Sequence, residues 1–361
     1  MRYLSLCFLL FSILLATPAT SQEAPATPEL SEEALNHYRT GYDLVKKRSY
    51  RNAAIELERA IDIETNYGQA HYLLGLAYNV LNEYSKAING YEKARELGVK
   101  PKKATKALGQ LYHKAASASL QQRKYNEVIS FSRKTLEFSP GKAQAYYFLG
   151  LSYSGMRNQA QAETAFKNAV KADPQYAKAY KALADIQRNN HDYGLADSTY
   201  QKAIDADASY MDAYGGLARI KLATQDLEGV VELMHIAVQI DKNYAKGYLL
   251  LGTALNQLGR QHEAVAPLRR VTELDSKNAD AYYHLSEAHY SMGNYRKAVD
   301  AGQTAVRHKK SFPAAHSLLG DAYLKLGQLA DARMWYNKAQ QNSRYKDYAE
   351  NKLEDIDRAE K

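Results

Sequence analysis

The sequence predicts an all-α protein, an α-solenoid of nine helix-turn-helix repeats followed by a C-terminal capping helix. The chain aligns with itself at a period of 34 residues, and three positions of each repeat hold short side chains in nearly every copy. Apolar residues recur at spacings of three and four within each half repeat, which is typical of amphipathic helices. Because one such helix pair cannot bury its apolar face alone, we expect the repeats to stack on their neighbours.

The register follows from the regular middle of the chain, where Pro140 and Pro174 lie 34 residues apart. Positions 20 and 27 hold mainly alanine, and position 8 is also small, because two helices approach closely only where a side chain is short. Position 8 is occupied by Gly41, Gly75, Ala116, Gly150, Ala184, Ala218, Gly252, Ser286 and Gly320.

The first residues precede the repeats. Residues 1–21 combine a basic start, an apolar run from Tyr3 to Ala16 and a small-residue end, the order of a secretory signal peptide. The run is too short to span a bilayer comfortably. We expect cleavage after Ala19 or Ser21 and export, in the simplest case to a bacterial periplasm, with the endoplasmic reticulum as the alternative. Residues 22–33 are rich in proline and acidic side chains, which predicts a flexible leader.

The repeats fill residues 34–346. Each is expected to form helix A over positions 2 to 14, a turn, and helix B over positions 18 to 31. Glycine and asparagine mark the turns, and the prolines at position 32 end helix B. The repeats begin at residues 34, 68, 109, 143, 177, 211, 245, 279 and 313.

One insertion breaks the period, because the third repeat begins seven residues late. Seven residues make about two helical turns, so the insertion 102–108 can extend helix A backwards without rotating its buried face. Pro101 suits the first position of that long helix. After the ninth repeat, apolar residues at helical spacing predict a capping helix over 347–361, which covers the exposed end of the stack.

This pattern resembles the tetratricopeptide repeat family, because in four repeats an aromatic residue at position 24 accompanies the small residues at positions 8, 20 and 27, namely Tyr91, Phe166, Tyr200 and Tyr336. The resemblance covers about residues 34–346, and the third repeat departs from it most, with Ser119 and Ser132 in place of bulky side chains. It implies a right-handed superhelix whose A helices line a concave face that binds peptides or proteins. The carboxylate clamp of the chaperone-binding members is not formed, since Lys181 is followed by Asp185.

Composition excludes several kinds of chemistry. Cys7, the one cysteine, lies in the apolar run, so the mature chain would have no thiol for a disulfide, a metal site or a nucleophile. No histidine, glycine or serine spacing matches a metal, phosphate or hydrolase motif. We therefore expect no enzyme activity, no cofactor and no metal. The formal net charge is +8, and the basic clusters lie mostly at turns and helix ends, where they stay solvated and favour solubility. Export argues against a nucleic acid partner.

The candidate binding residues lie at the outward positions 2, 5, 9, 12 and 13 of helix A. They are often aromatic in the outer repeats and charged in the middle ones. Rigid tyrosine anchors, with cationic groups for carboxylates, would suit an extended or helical peptide. Each tyrosine has the alternative of packing between adjacent A helices. The candidates are Tyr38, Tyr42, Tyr72, Tyr147, Lys178, Lys181, Asp185, Arg188, Arg219, Tyr283 and Tyr290.

The sequence therefore predicts a non-enzymatic scaffold or adaptor of the cell envelope, which binds protein or peptide partners along the face lined by the A helices. The alternative is a carbohydrate-binding module for cell wall or exported polysaccharide, in which the same tyrosines stack on sugar rings.

Overall fold

A computed structural model describes residues 30–360 of the 361-residue chain. The predicted signal peptide, and the predicted leader up to residue 29, lie outside the described residues. The described part contains nineteen α-helices and no strand, which confirms the predicted all-α fold class. It divides into two compact units, unit 1 ending at Thr105 and unit 2 beginning at Lys106.

Unit 1 contains the first two repeats. Its helices are α1 (Glu32–Lys46), α2 (Tyr50–Ile63), α3 (Gly68–Val80), α4 (Tyr84–Glu96) and the first residues of α5 (Pro101–Gln121), whose remainder belongs to unit 2. The two helices of each repeat pack against each other, and α2 also packs on α3. Each repeat therefore covers the apolar face of the next.

Unit 2 contains the other repeats and the capping helix. After α5, its helices are α6 (Tyr125–Phe138), α7 (Ala143–Gly155), α8 (Gln159–Ala172), α9 (Ala177–Asn189), α10 (Tyr193–Ala206), α11 (Met211–Ala223), α12 (Leu227–Ile240), α13 (Ala245–Gln257), α14 (Gln261–Leu274), α15 (Ala279–Ser291), α16 (Tyr295–His308), α17 (Pro313–Lys325), α18 (Leu329–Ala339) and α19 (Lys346–Ala359). One apolar core extends from Ala184 on α9 to Leu285 on α15. Such a core, shared by successive repeats, is the stacking that the period predicts.

The start of α1 corrects the predicted leader, which was expected to reach residue 33. The helix begins at Glu32 because the Ser31 hydroxyl accepts a hydrogen bond of 3.2 Å from the backbone N–H of Ala34. Glu32 and Glu33 place negative charge in the first turn, where the helix dipole favours it. The acidic residues that indicated a flexible segment are therefore part of a helix start.

The regular repeats differ slightly from the predicted boundaries, since helix A covers positions 1 to 13 and helix B positions 17 to 30, one residue earlier than expected. The reason is position 15, which has a positive φ in every repeat and ends helix A there. Three of the nine residues are glycine. Position 15 is occupied by Arg48, Asn82, Arg123, Arg157, His191, Gln225, Gly259, Gly293 and Gly327.

We expect Gly293→Ala to destabilise unit 2 by about 1 kcal/mol, because a Cβ is disfavoured in the left-handed region. The φ of Gly293 is +76°, and nothing lies within 4 Å of an added Cβ, so the cost comes from the backbone alone. The control is Gly194→Ala on α10, where the site is equally open and alanine should stabilise the helix by about 0.5 to 1 kcal/mol. Urea unfolding measures both, and equal effects would contradict the interpretation.

In five repeats the glycine at position 8 faces a large side chain at position 24 of the same repeat. A Cβ added to Gly150 would lie 2.4 Å from Cε1 of Phe166, and one added to Gly320 would lie 2.6 Å from Cε1 of Tyr336. Both ring residues are almost completely buried. The small residue at position 8 thus makes room for the large residue at position 24. Together the two positions set how closely helices A and B approach.

The insertion 102–108 and the predicted capping segment are both helical. Helix α5 has 21 residues and includes the insertion 102–108 without a break, with Pro101 at its first position. Helix α19 packs on α18 and buries Ala349 and Ile356 in the same core as Trp335. It begins at Lys346, one residue before the predicted capping helix.

Candidate functional site

The tyrosines at position 5 of helix A lie against a second aromatic ring 29 residues later in the chain. The ring centroids of Tyr147 and Tyr176 are 5.1 Å apart, and those of Tyr283 and Phe312 are 5.0 Å apart. The later ring belongs to the residue directly before the next A helix. Burial raises the pKa of the Tyr147 and Tyr283 hydroxyls. These candidates therefore pack between adjacent A helices, the alternative that the sequence left open, and form the floor of the face.

The same kind of aromatic pair occurs once in unit 1. Tyr38 packs against Tyr67 with centroids 4.8 Å apart, and Tyr42 stacks beside Tyr38 at 6.4 Å. The Tyr42 side chain is exposed, and the ammonium of Lys46 lies 4.3 Å from its ring centroid.

Tyr72, the remaining candidate in unit 1, meets the edge of Tyr91 at 5.3 Å, and Lys100 lies over its ring at 4.9 Å. Tyr42 and Tyr72 therefore each have a lysine ammonium over the ring. Their surface is aromatic and cationic, not purely apolar.

Sequence reasoning missed the aromatic residues directly before helix A, although their spacing was visible. They recur at position 34 and precede five of the A helices. They are Tyr67, Tyr176, Tyr210, Tyr244 and Phe312.

In the middle of unit 2, the candidates on α9 form one network around Asp185. Its Oδ2 lies 2.7 Å from Nζ of Lys181, and its Oδ1 lies 3.6 Å from Nη2 of Arg188. The Tyr200 hydroxyl, from helix α10, donates a 2.5 Å hydrogen bond to the same Oδ1. The structure therefore brings three candidates together, but they bind one another, and one carboxylate offsets two cations.

Three further cations lie on α9 and on the next two A helices, α11 and α13. Lys178, Arg219 and Lys246 are exposed, and none of them forms a hydrogen bond or ion pair with another described residue. Partial burial, and then the positive charges of Arg219 and Lys181, lower the pKa of Lys246, while Asp212 acts against them. We call these three residues with Lys181 and Arg188 the cationic centre.

Gly215 lies at the cationic centre. It stands at position 5, where four other repeats have tyrosine, and a Cβ there would lie 3.0 Å from the Tyr244 hydroxyl and 3.7 Å from Nζ of Lys246. That hydroxyl donates a long hydrogen bond of 3.3 Å to the backbone carbonyl of Met211. The glycine therefore lets the hydroxyl and the ammonium group lie close to the backbone of α11.

Tyr290, the last candidate, lies near a half-buried carboxylate, that of Asp321, at the C-terminal end of unit 2. It packs against Tyr295 with centroids 5.5 Å apart, and the negative charge of Asp321 contributes to raising the pKa of its hydroxyl, after burial. Oδ1 of Asp321 accepts hydrogen bonds of 2.6 Å from Tyr336 and 2.7 Å from Tyr348. Tyr348 belongs to α19, so the capping helix closes this end of the face.

We expect Asp321→Asn to stabilise unit 2 at pH 7 and to have little effect near pH 3. Burial raises the pKa of Asp321, although the hydroxyls of Tyr336 and Tyr348 lower it. The folded state therefore binds this proton more tightly than the unfolded chain. Its contribution to stability is complete below the unfolded pKa of about 3.9 and is lost as pH rises through the raised folded pKa. Asparagine keeps the acceptor oxygen without the charge.

Urea unfolding of both proteins from pH 3 to pH 8 measures this difference. Asp300→Asn, on the exposed surface of α16, is the matched control. A difference between Asp321→Asn and the wild type that does not change with pH would show that the buried charge is not its cause.

Between residues 30 and 360, no three histidine, cysteine, aspartate or glutamate side chains come together as metal ligands would. Among the helices of that same segment, none is both long and apolar enough to cross a membrane.

Models of the tetratricopeptide repeat match three parts of the chain. One matches residues 38–98 and 283–347, a second, described as a TPR repeat, matches 252–293, and a third matches 143–176. The matched segments include repeats at both ends of the array, so the similarity is not confined to one region.

Individual proteins are similar over shorter stretches or at lower identity. The "DnaJ homolog subfamily C member 3 homolog" of Dictyostelium discoideum is 32% identical over 101 residues, which are 28% of this chain and 17% of that protein. The chain therefore spans a small part of the length of this curated relative.

Two solved structures show the same fold. The C-terminal part of a TPR repeat-containing protein from Cytophaga hutchinsonii has a TM-score of 0.55 at 14% identity and covers 67% of this chain and 99% of that one. The pilF protein of Pseudomonas aeruginosa has a TM-score of 0.51 at 14% identity and covers 60% and 99%, respectively.

Proposed function

The chain belongs to the tetratricopeptide repeat family, and from this premise we propose that it is a non-enzymatic scaffold that binds an acidic peptide segment of a partner protein. The observation that carries the proposal is the cationic centre on α9, α11 and α13. Five cations lie there with two carboxylates, Asp185 and Asp212, and Asp185 is already engaged by three groups.

The geometry favours a peptide with spaced carboxylates. Lysine ammonium and arginine guanidinium groups on three consecutive A helices can each meet one acidic side chain. The aromatic floor on either side supplies rigid apolar contact area at low conformational cost. An extended chain with acidic residues separated by small or apolar ones fits this alternation.

The test is fluorescence anisotropy with labelled peptides that differ only in charge. A twelve-residue peptide with four glutamates should bind the purified protein, and the same peptide with four glutamines should bind at least about tenfold more weakly, a difference of 1.4 kcal/mol. Raising the salt concentration should weaken only the acidic peptide. Equal binding of the two peptides, or binding of neither, would refute the proposal.

Partners in the cell can then be identified by affinity capture from envelope extracts. The wild type is compared with Lys181→Glu and Arg188→Glu, which reverse two charges of the network. Identical partner lists from all three would mean that the cationic centre takes no part in recognition.

Export to the cell envelope is part of the same proposal. It is supported by the order of basic, apolar and small residues in 1–21. Mass spectrometry of the protein purified from its native source should find an N-terminus after Ala19 or Ser21. An intact Met1 on the soluble protein would overturn this part of the proposal and leave peptide binding unaffected.

Carbohydrate binding receives no support from the arrangement of the tyrosines. That alternative required ring faces open to a sugar, as at Tyr147 and Tyr283. Both rings are instead paired with another aromatic ring, so we do not carry the alternative forward.

A further inference from the structure

A second, separate site is indicated on the opposite side of unit 2. A cavity of about 660 Å³ lies among α16, α17 and α18, a size that accommodates a small ligand. Its walls come mainly from the B helices α16 and α18, so it does not belong to the face lined by the A helices. We call it the basic cavity. It is lined by Gln303, Arg307, Lys310, His316, Trp335 and Lys338, among others.

The charge of the basic cavity is uniformly positive. Arg307, Lys310 and Lys338 line it, no aspartate or glutamate does, and none of the three forms an ion pair with another described residue. The neighbouring Lys309, by contrast, lies 3.3 Å from Asp280. Three cations that converge on one concavity without a counter-charge repel one another, and an anion would relieve that repulsion.

The nearest carboxylates do not neutralise this charge. Asp300 and Asp331 line a different cavity together with Tyr323. The Tyr323 hydroxyl accepts a 2.6 Å hydrogen bond from Nε2 of Gln303, a residue that both cavities share. The acidic side chains therefore belong to a neighbouring surface, and the basic cavity keeps its positive field.

The floor of the cavity is aromatic, and its side chains are almost completely buried. Trp335 and His316 are each 8% exposed, with ring centroids 5.5 Å apart, and Nζ of Lys338 lies 4.0 Å above the indole ring. The Tyr323 hydroxyl lies beside Trp335, and the backbone of Lys310 lies beside His316.

We propose that the basic cavity binds a small oxyanion ligand with more than one negative charge, carried by phosphate or carboxylate groups. Arg307 and Lys310 bind its charged oxygens at the rim, since guanidinium and ammonium groups form the strongest hydrogen bonds to such oxygens. Lys338 binds a further oxygen above the indole. The body of the ligand lies against the apolar part of the lining, which includes Val306 and the exposed edge of Trp335.

Trp335 makes the proposal directly measurable, because it is the only tryptophan of the chain. Its fluorescence is recorded during titration of the full protein with inorganic pyrophosphate and, separately, with citrate, at constant ionic strength. We expect a saturable change for at least one of them. The tighter of the two identifies phosphate or carboxylate as the preferred group.

Two double variants with the same change in net charge provide the control. Arg307→Gln combined with Lys310→Gln should weaken binding at least about tenfold and leaves the surroundings of the indole in place. Lys171→Gln combined with Lys202→Gln, on exposed parts of α8 and α10, should not change it. A reversal at the cationic centre, Arg219→Glu, should also leave it unchanged.

Absence of a saturable change up to about 10 mM of either anion, or equal weakening by both double variants, would overturn the proposal. The second result would show a general response to net charge and not a site. Neither outcome affects the peptide-binding proposal, which concerns residues on other helices.

Discussion

Gly150→Val should destabilise unit 2 by about 3 kcal/mol, the upper part of the range for overpacking a buried contact. The first carbon of the new side chain would already lie 2.4 to 2.7 Å from three atoms of the Phe166 ring, so α7 and α8 must separate or the ring must leave its site. Phe166 is 1% exposed and has no open space to enter.

The effect should spread to the neighbouring repeats, because each repeat of such an array is stable only against those beside it. Urea unfolding followed by circular dichroism gives the loss in stability. Gly194→Val is the matched control, since the same substitution on α10 meets nothing within 4 Å and should change stability by less than about 0.5 kcal/mol.

A double variant tests the assigned cause. Removing the ring with Phe166→Ala should make Gly150→Val far less costly, because the two side chains compete for one space. The coupling between contacting residues commonly reaches about 0.5 to 3 kcal/mol. Strictly additive losses would mean that the valine acts elsewhere.

The second large effect concerns binding. Arg219→Glu combined with Lys246→Glu should weaken the acidic peptide by about a hundredfold, or 2.8 kcal/mol, since each reversal replaces an attraction by a repulsion. Asp185→Asn should act in the opposite direction, because it removes the carboxylate that offsets Lys181 and Arg188. Most of the change from the double reversal should appear at low salt.

Anisotropy titrations with the glutamate peptide measure both effects. Lys202→Glu, at an exposed lysine on the helix B side of the same repeat as Lys181, changes the net charge by as much as one of the two reversals and should leave the affinity within about twofold. If it weakened binding as much as one reversal at the cationic centre, the attraction would come from the overall charge and not from this site.

The fold could be predicted from the sequence because the contacts that determine it recur in successive repeats. Small residues recur at position 8 of all nine repeats, and four repeats also have a ring at position 24, so the period could be read without any three-dimensional information. Gly150 with Phe166 and Gly320 with Tyr336 are two copies of the same contact.

The site was less predictable, because it depends on contacts between repeats. Nothing in the local sequence says that Lys181 and Arg188 share Asp185, or that Tyr200 from the other helix also binds it. The pairing of Tyr147 with Tyr176 joins a residue of α7 to the residue directly before α9, so helical periodicity alone could not separate an anchor from a packed ring. The basic cavity combines residues from three helices and was not anticipated at all.

The conformation at position 15 has a consequence for motion. In the first six repeats a residue with a side chain is held in a backbone region that it disfavours, whereas the last three repeats have glycine there. In a repeat array each repeat contacts only its neighbours, so the backbone strain stays local to the turn in which it occurs. The amides around the turns of the last three repeats should therefore exchange with solvent more slowly than those of the first six, so the array would loosen from its N-terminal side.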